Sequence, residues 1–422
     1  MSLVLLPHQT EALARTENYT KCAYYHDMGL GKTFTGSEKL NQLHERVNLV
    51  VCQKSKVNDW LQHFDSYYSN ITAWDLTDKH DYTNFFKAIA RNNINVGVIN
   101  YDLIYRRPDF LKLEDFTLML DESSVIQNEQ TRRAKYIMKL HYTNLILLSG
   151  TPTSGKYERL FSQLSMLGYG ISKDAFLRMY VDSHLEEIGG QYVPIIDGYK
   201  NVERLKTKMR ALGCDFLKTS EVIKLPEQTF IPVIVPVSKY YKKFLKTKIV
   251  EVEGVKLKGD TILTELLYLR MLCGAYSEHK LQAFNDLLNS TGDGLIVFYN
   301  FNNELDKLRD ICEENERPVS VINGSEKNLD NYNRHDNAVV LVNYQAGAMG
   351  LNLQKYNKII YFTPTFSAEN YMQSAKRIHR LGQKQSCFYY QLICKDSVEK
   401  NIYKALEQRI DYTEELFKYE CL

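Results

Sequence analysis

The sequence lacks a long apolar run. Aliphatic stretches such as residues 3–6 and 145–148 have four residues, whereas a membrane helix needs about 18 or more, so no membrane role is expected. A basic-then-apolar leader is missing too, which argues against secretion. No large excess of charge exists: 53 Lys and Arg face 51 Asp and Glu, leaving a net charge of +2. Such a chain does not coat a polyanion by bulk charge, and any nucleic-acid site has to be a local basic patch. Cys-x-x-Cys pairs are also lacking. The eight cysteines stand singly at 22, 52, 214, 273, 312, 387, 394 and 421. That pattern excludes a zinc ribbon or a redox motif and fits a reduced, cytoplasmic protein. Short-period repeats and low-complexity tracts are absent as well.

What is there reads as a globular chain. With 422 residues, 44% of them hydrophobic and 25% charged, disorder over most of the length is excluded. The length suits two domains of about 200 residues, each with its own core. Residues 22–25, 48–52, 95–100, 117–121 and 144–149 are apolar almost throughout, as strands buried on both faces should be. Helical stretches separate them, and this alternation predicts a parallel sheet wrapped by helices. Residues 156–225 carry many charges and few strand signals, and read as a helical insertion. Residues 230–237 contain Pro232 and Pro236, so an edge strand is expected there. Next comes a basic run, residues 239–248 with Tyr240 and Tyr241, open to two readings: contact with DNA phosphates, or a solvated helix face. Alternation about Glu253-Gly254 then predicts a small hairpin, either a surface excursion or a strand-separating pin. Strand–helix alternation resumes at 294–299, 319–322, 338–342, 358–362 and 388–393. Trp60 and Trp74 read as packing residues.

Two motifs carry chemistry. His26-Asp27-Met28-Gly29-Leu30-Gly31-Lys32-Thr33 follows a strand and opens a helix. In that context backbone N–H groups cradle phosphates, Lys32 reaches the β- and γ-phosphates, and the Thr33 hydroxyl holds Mg²⁺. The usual pattern has a glycine where His26 stands, and a plain Gly-rich turn has similar letters. The second motif decides between them. Leu118-Met119-Leu120 is an apolar strand that ends in Asp121-Glu122. Asp121 suits a Mg²⁺ ligand, and Glu122 a general base for the attacking water. Together they predict ATP hydrolysis.

With these motifs in place, the sequence resembles the Swi/Snf-type ATPases of helicase superfamily two, nearly end to end. Leu6-Pro7-His8-Gln9 is similar to that family's adenine-reading glutamine motif. Asp27 to Thr33 matches its phosphate loop almost letter for letter. Gln53-Lys54-Ser55 resembles a strand-tracking segment, although Gln53 stands where proline is usual, and Asn100-Tyr101-Asp102 resembles the next one. Ser149-Gly150-Thr151-Pro152 is similar to the motif that senses hydrolysis. In the second half, Gly347 to Leu353, including Asn352, resembles the loop linking ATP to the track. Gln373-Ser374-Ala375-Lys376-Arg377-Ile378-His379-Arg380-Leu381-Gly382-Gln383 is its most diagnostic stretch. Residues 373, 377, 380 and 384 fall at i, i+4, i+7 and i+11, which on a helix puts Gln373, Arg377, Arg380 and Lys384 on one face. A guanidinium from there would act as an arginine finger on the γ-phosphate.

The resemblance implies two RecA-like, doubly wound α/β lobes, residues 1–240 and 241–422. It implies ATP and Mg²⁺ in a cleft between the lobes, held by Gln9, Gly29, Gly31, Lys32, Thr33 and Gln373. Catalysis would rest on Lys32, Asp121, Glu122, Arg377 and Arg380. Contacts to nucleic acid are expected from Lys54, Ser55, Tyr101, Gly347 and Asn352. The expected protein is a monomeric motor moving on double-stranded DNA, with single-stranded DNA as a further track. Alternatives are a strand-separating DNA or RNA helicase and a slowly hydrolysing switch. Ser123 and Ser124 stand where relatives often have Ala-His or Gly-His, which puts coupling to the neighbouring motifs in question. The economy of the chain suggests a bacterial or phage source.

Overall fold

The computed structural model describes residues 3–90, 93–188, 190–347 and 351–417. The chain divides into two compact units: unit 2 is Lys224–Asp411, and unit 1 is the chain up to Ile223 together with the stretch from Tyr412 on, so the division falls ahead of the expected boundary at 240.

Unit 1 is built on a seven-stranded, all-parallel sheet. In chain order its strands are β1 (Lys21–His26), β2 (Val47–Cys52), β3 (Ile71–Asp75), β4 (Ile94–Asn100), β5 (Thr117–Asp121) and β6 (Asn144–Leu148). A hairpin follows, β7 (Val181–Ile188) and β8 (Gln191–Tyr199), and then β9 (Cys214–Leu217). The sheet order is β3-β4-β2-β5-β6-β1-β9. Alternate residues of each strand enter two separate cores. Ala23, Tyr25, Leu49, Val51, Leu118 and Leu120 pack on one side, and Cys22, Tyr24, Val50, Cys52 and Met119 on the other. Helices cover both faces, which is why these strands are apolar at every position.

The stretch 156–225 departs from the helical expectation. It does contain the helices Phe161–Met166, Lys173–Tyr180 and Val202–Ala211. It also holds the β7–β8 hairpin and β9, which pairs with β1 at the sheet edge. The hairpin is exposed along most of both strands, so it has no one-sided apolar alternation to betray it. β9 is only four residues long and contains an aspartate.

Unit 2 repeats the plan. Its strands are β10 (Gln228–Val235), the hairpin β11 (Ile249–Val252) and β12 (Val255–Lys258), and then β13 (Leu295–Tyr299), β14 (Val319–Ile322), β15 (Val339–Asn343), β16 (Lys358–Tyr361) and β17 (Cys387–Cys394). The main sheet runs β10-β17-β16-β13-β15-β14 and is all parallel. β10 forms its edge, where Pro232 is tolerated as expected. Because β10 pairs with β17, it belongs to unit 2, and that moves the boundary. The β11–β12 hairpin turns at Glu253 and Gly254, both at positive φ. Its Val250, Val252 and Leu257 are buried against Phe244, Leu269 and Leu272, so one face of the hairpin is core, not a free pin.

Candidate active site

The site on unit 1 forms at the carboxyl ends of β1, β5 and β6, where open α/β sheets bind ligands. After β1 the chain turns on glycine. Gly29 and Gly31 have φ of +85° and +72°, a region that side chains disfavour. At Gly31 space also forbids a side chain, since a Cβ would lie 2.4 Å from Gln9 Nε2. Gly31 caps the helix Lys32–Gln42, and the open N–H groups of its first turn attract anions. Gln9 is buried and braces this loop: Nε2 donates to Leu30 O and Gly31 O at 3.3 and 3.2 Å, and Oε1 accepts from Leu6 N at 2.8 Å. Lys32 Nζ donates to His26 O at 2.9 Å and Asp27 O at 3.2 Å. An ammonium has three N–H donors, so one is left for a phosphate. Thr33 follows, half-buried.

Asp121 ends β5. Burial pushes its carboxyl above the ordinary range, while the Trp60 indole and the Lys32 ammonium pull it back. Trp60 Nε1 donates to Oδ2 at 2.9 Å, and the Tyr101 hydroxyl donates to Asp121 O at 2.9 Å. Glu122 follows with φ 55° and ψ 60°, a left-handed conformation that costs a non-glycine residue about 1–2 kcal/mol. The short 3₁₀ turn Ser123–Ile126 follows this bend, with Val125 N donating to Glu122 O at 3.0 Å. Gly150, after β6, closes the group. A Cβ there would lie 3.2 Å from Met28 Cγ and 3.4 Å from Lys32 Nζ. The phosphate loop and the Ser149–Pro152 motif thus meet in one place, and the Lys32 charge reaches the acidic turn.

The donor set fits a magnesium nucleotide. Thr33 and Asp121 offer hard oxygens to the cation, and the loop offers N–H groups and an ammonium to the phosphates. A carboxyl that burial drives toward neutrality is one that a dication would restore to the charged form.

Several supporting residues carry no signal along the chain. His26 is fully buried, and its Nε2 lies 2.7 Å from Asp215 Oδ2 on β9. Burial lowers its pKa, against the pull of Asp215, so the ring is neutral at pH 7 and donates from Nε2. Arg15 clamps the same carboxylate through Nε at 2.6 Å and Nη2 at 3.1 Å. Burial alone would raise Asp215, but the His26 and Arg15 bonds hold it below the usual range. Thr219 donates to Asp27 Oδ2 through both its backbone N and its hydroxyl at 3.1 Å. The short edge strand and the residues after it therefore anchor the start of the phosphate loop at His26 and Asp27. Trp60, expected only to pack, also orients the Asp121 carboxylate.

Gln163 links two motifs. Its Oε1 accepts from Ser123 Oγ at 2.7 Å and from Tyr25 OH at 3.1 Å, and its Nε2 donates to Pro152 O at 2.9 Å. Gln127 adds a bond to the same Pro152 O at 2.9 Å. Ser123, where a different residue is usual, thus joins the acidic turn to the Ser149–Pro152 motif through a third side chain. Gln163→Leu would strand these buried partners and should lower stability by about 2–4 kcal/mol, read as a shift of the urea midpoint.

Of the expected track residues, Lys54 and Ser55 are exposed in the 3₁₀ turn Lys54–Lys56 after β2. Tyr101 is corrected: it is 3% exposed and its hydroxyl is taken by Asp121, so it supports the acidic turn and offers nothing to a strand.

Unit 2 carries the second set. Gln373 is buried on the helix Ala368–Ala375 and donates to Glu369 Oε1 at 3.3 Å. That helix ends at Ala375, so Arg377, Arg380 and Lys384 do not continue one helical face as the spacing implied. The chain instead turns, with Arg377 N bonded to Ser374 O at 3.1 Å and Arg377 O accepting from Leu353 N at 3.3 Å. Gly382 (φ +98°) and Gln383 then tie the turn to residues 354–356, Gln383 Nε2 donating to Gln354 O at 3.1 Å and to Tyr356 O at 3.2 Å. Arg377 is buried, with Nη1 3.4 Å from Leu351 O. Arg380 is half-buried. Burial lowers its pKa, and no described residue forms an ion pair or side-chain hydrogen bond with its guanidinium. Gly347 ends the helix Tyr344–Gly347. Residues 348–350 of the expected linking loop lie outside the described residues, and Asn352 beyond them is exposed.

The SNF2-related domain family matches residues 11–282, and the helicase conserved C-terminal domain matches residues 279–382. A Saccharomyces cerevisiae ISWI chromatin-remodeling complex ATPase is 25% identical over 91% of this chain and 38% of its own length. Mouse chromodomain-helicase-DNA-binding protein 1-like is 24% identical over 93% of this chain and 47% of its own. A probable ATP-dependent DNA helicase of Arabidopsis thaliana is 25% identical over 91% of this chain and 40% of its own. The chain thus spans less than half the length of these curated relatives, and all three are eukaryotic, which lends nothing to the expected bacterial or phage source. Among solved structures, the Sulfolobus solfataricus SWI2/SNF2 ATPase core in complex with dsDNA covers 98% of this chain, and the chain covers 93% of that one, at 17% identity and a TM-score of 0.46, a likeness too loose to argue from. Among the described residues no helix is long and apolar enough to cross a membrane.

Proposed function

Because this chain belongs to the SNF2-related family, we propose that it is a DNA-dependent ATPase that moves along double-stranded DNA. The observation that carries the proposal is the meeting of the phosphate loop, the Asp121-Glu122 turn and the Ser149–Pro152 motif at the carboxyl end of one parallel sheet. ATP is the substrate. The loop N–H groups and Lys32 bind its phosphates, and Glu122 takes a proton from the attacking water. Mg²⁺, held by Thr33 and Asp121, would neutralise charge on the β- and γ-phosphates. Arg377 and Arg380 of unit 2 would complete the site in the catalytic state. Arg380 suits the finger role best, since a desolvated guanidinium without a partner of its own favours an anion. Arg380→Ala should then slow turnover by about 10³-fold or more, measured as phosphate release at saturating ATP.

On the track, Lys54 and Ser55 suit phosphates more than base edges, so sequence preference should be weak. Cycles of closure on ATP and opening after hydrolysis would shift one unit along the backbone. The test is the ATPase rate with no nucleic acid, duplex DNA, single-stranded DNA and RNA, paired with two displacement assays. Duplex DNA should stimulate most. A third strand in the major groove should be stripped off, while a forked duplex stays paired. A rate indifferent to all three nucleic acids would remove the motor reading, and efficient unwinding of the fork would replace it with a helicase.

A further inference from the structure

The helix Lys239–Thr247 has no acidic residue. Its Tyr241 and Phe244 are buried in a core shared with the β11–β12 hairpin, and the Tyr241 hydroxyl accepts from Val398 N at 3.0 Å. Tyr241 is therefore a packing residue and cannot meet a nucleic acid. Lys239, Lys242, Lys243 and Lys246 stand at i, i+3, i+4 and i+7, the opposite face, and all four are exposed. None of these ammonium groups has an ion pair or a hydrogen bond with a described residue. Three acids nearby are already engaged. Glu265 pairs with Lys248, Asp260 with Lys258 at 3.0 Å, and Glu253 with Lys307 at 2.9 Å. Lys248, Lys258 and Lys307 are thus neutralised, whereas no stripe lysine pairs with a described carboxylate; Lys239 Nζ lies over the Tyr240 ring, 5.2 Å from its centroid. Like charges at such spacings weaken a helix, so the pattern calls for a polyanion.

We propose that this stripe is a phosphate-binding surface of unit 2 that grips the backbone of duplex DNA, distinct from the Lys54–Ser55 turn of unit 1. The inference rests on the reading of the chain as a DNA motor. The dimensions agree. Seven residues of helix rise about 10 Å, and a DNA strand presents a phosphate about every 3.4 Å along its axis. Four flexible ammonium groups can therefore reach about three successive phosphates of one strand. Contacts of this kind add affinity and grip with no sequence preference.

The test compares the full chain with K239Q/K242Q/K243Q/K246Q and with the matching quadruple Lys→Arg variant. Glutamine keeps the length of the side chain and removes the charge, and arginine keeps the charge. Circular dichroism melts verify that each variant is folded, and the basal ATPase rate without DNA should not change in either. Duplex binding by a random-sequence fluorescent 30-mer is then measured across a salt series. The Gln variant should bind at least tenfold more weakly near 0.1 M salt. Its slope of log K against log salt should be shallower by about 2–3, at about 0.9 for each phosphate that is no longer neutralised. The Arg variant should behave as the parent. If the parent itself fails to bind duplex DNA, the motor reading falls. If the parent binds with a steep salt slope and the folded Gln variant keeps both affinity and slope, the stripe proposal alone is overturned, and an acidic protein surface becomes its partner.

Discussion

Replacing Glu122 by glutamine should leave ATP binding within a few-fold of the parent and slow hydrolysis by about 10²–10⁴-fold, the usual worth of a positioned general base. The amide has the size and shape of the carboxylate, so it fits the same left-handed turn (φ 55°, ψ 60°). It cannot accept a proton from water. Binding is read with a fluorescent ATP analogue and hydrolysis by phosphate release. A Glu122→Gln chain with near-normal turnover would take the base role away from this residue and pass it to Asp121 or to a group of unit 2.

Lys32→Ala should differ from that result in a diagnostic way. It should abolish turnover and weaken ATP binding together. A charge-assisted bond to phosphate is worth about 1.5–3 kcal/mol, or about 10–100-fold in affinity. The lost ammonium also supports the loop, since it donates to His26 O and Asp27 O at 2.9 and 3.2 Å. Alanine leaves both carbonyls without that donor. Lys32→Arg separates the two effects: it keeps the charge but brings a planar, bulkier head into a space bounded by Gly150, whose Cβ position is 3.4 Å from Nζ. Arginine should recover part of the binding and little of the turnover, because the fork cannot occupy the point-charge position. Unchanged nucleotide affinity in Lys32→Ala would exclude the phosphate-contact role.

Much of this site can be read along the chain. β5 and β14 match their expected bounds, and β1, β2, β4, β6, β13, β15, β16 and β17 differ from theirs by a residue or two. A parallel strand covered on both faces has to be apolar at every position, and few other environments ask for so short and continuous a run. The phosphate loop and the acidic turn are equally legible, because each is a local arrangement: glycines where φ must be positive, then a lysine, and two acids where a strand ends.

The sequence by itself therefore determined the α/β class, the central strands of both sheets and the local motifs expected to meet ATP. Tertiary structure alone decided what holds them in place. His26, Asp215 and Arg15 form one cluster, although Asp215 lies 189 residues from His26 and 200 from Arg15. No local pattern announces that a histidine in a glycine's place will bond to an aspartate on an edge strand so far along. Gln163 reads as one more polar residue in a helix until Ser123 and Pro152 fold around it. The helix of the Gln373 signature should run on by its spacing, yet it stops at Ala375. Arg377 N and His379 N still reach back to Ser374 O and Ala375 O, but Arg377 and Gln383 also bond to the backbone of residues 351–356. Edge strands and exposed hairpins such as β9 and β7–β8 lack the two-sided burial that writes itself into composition. For the Asp215 cluster and for Gln163 the deciding free energy comes from satisfying a buried polar group with a partner distant in sequence, and such partners meet only once the chain has folded.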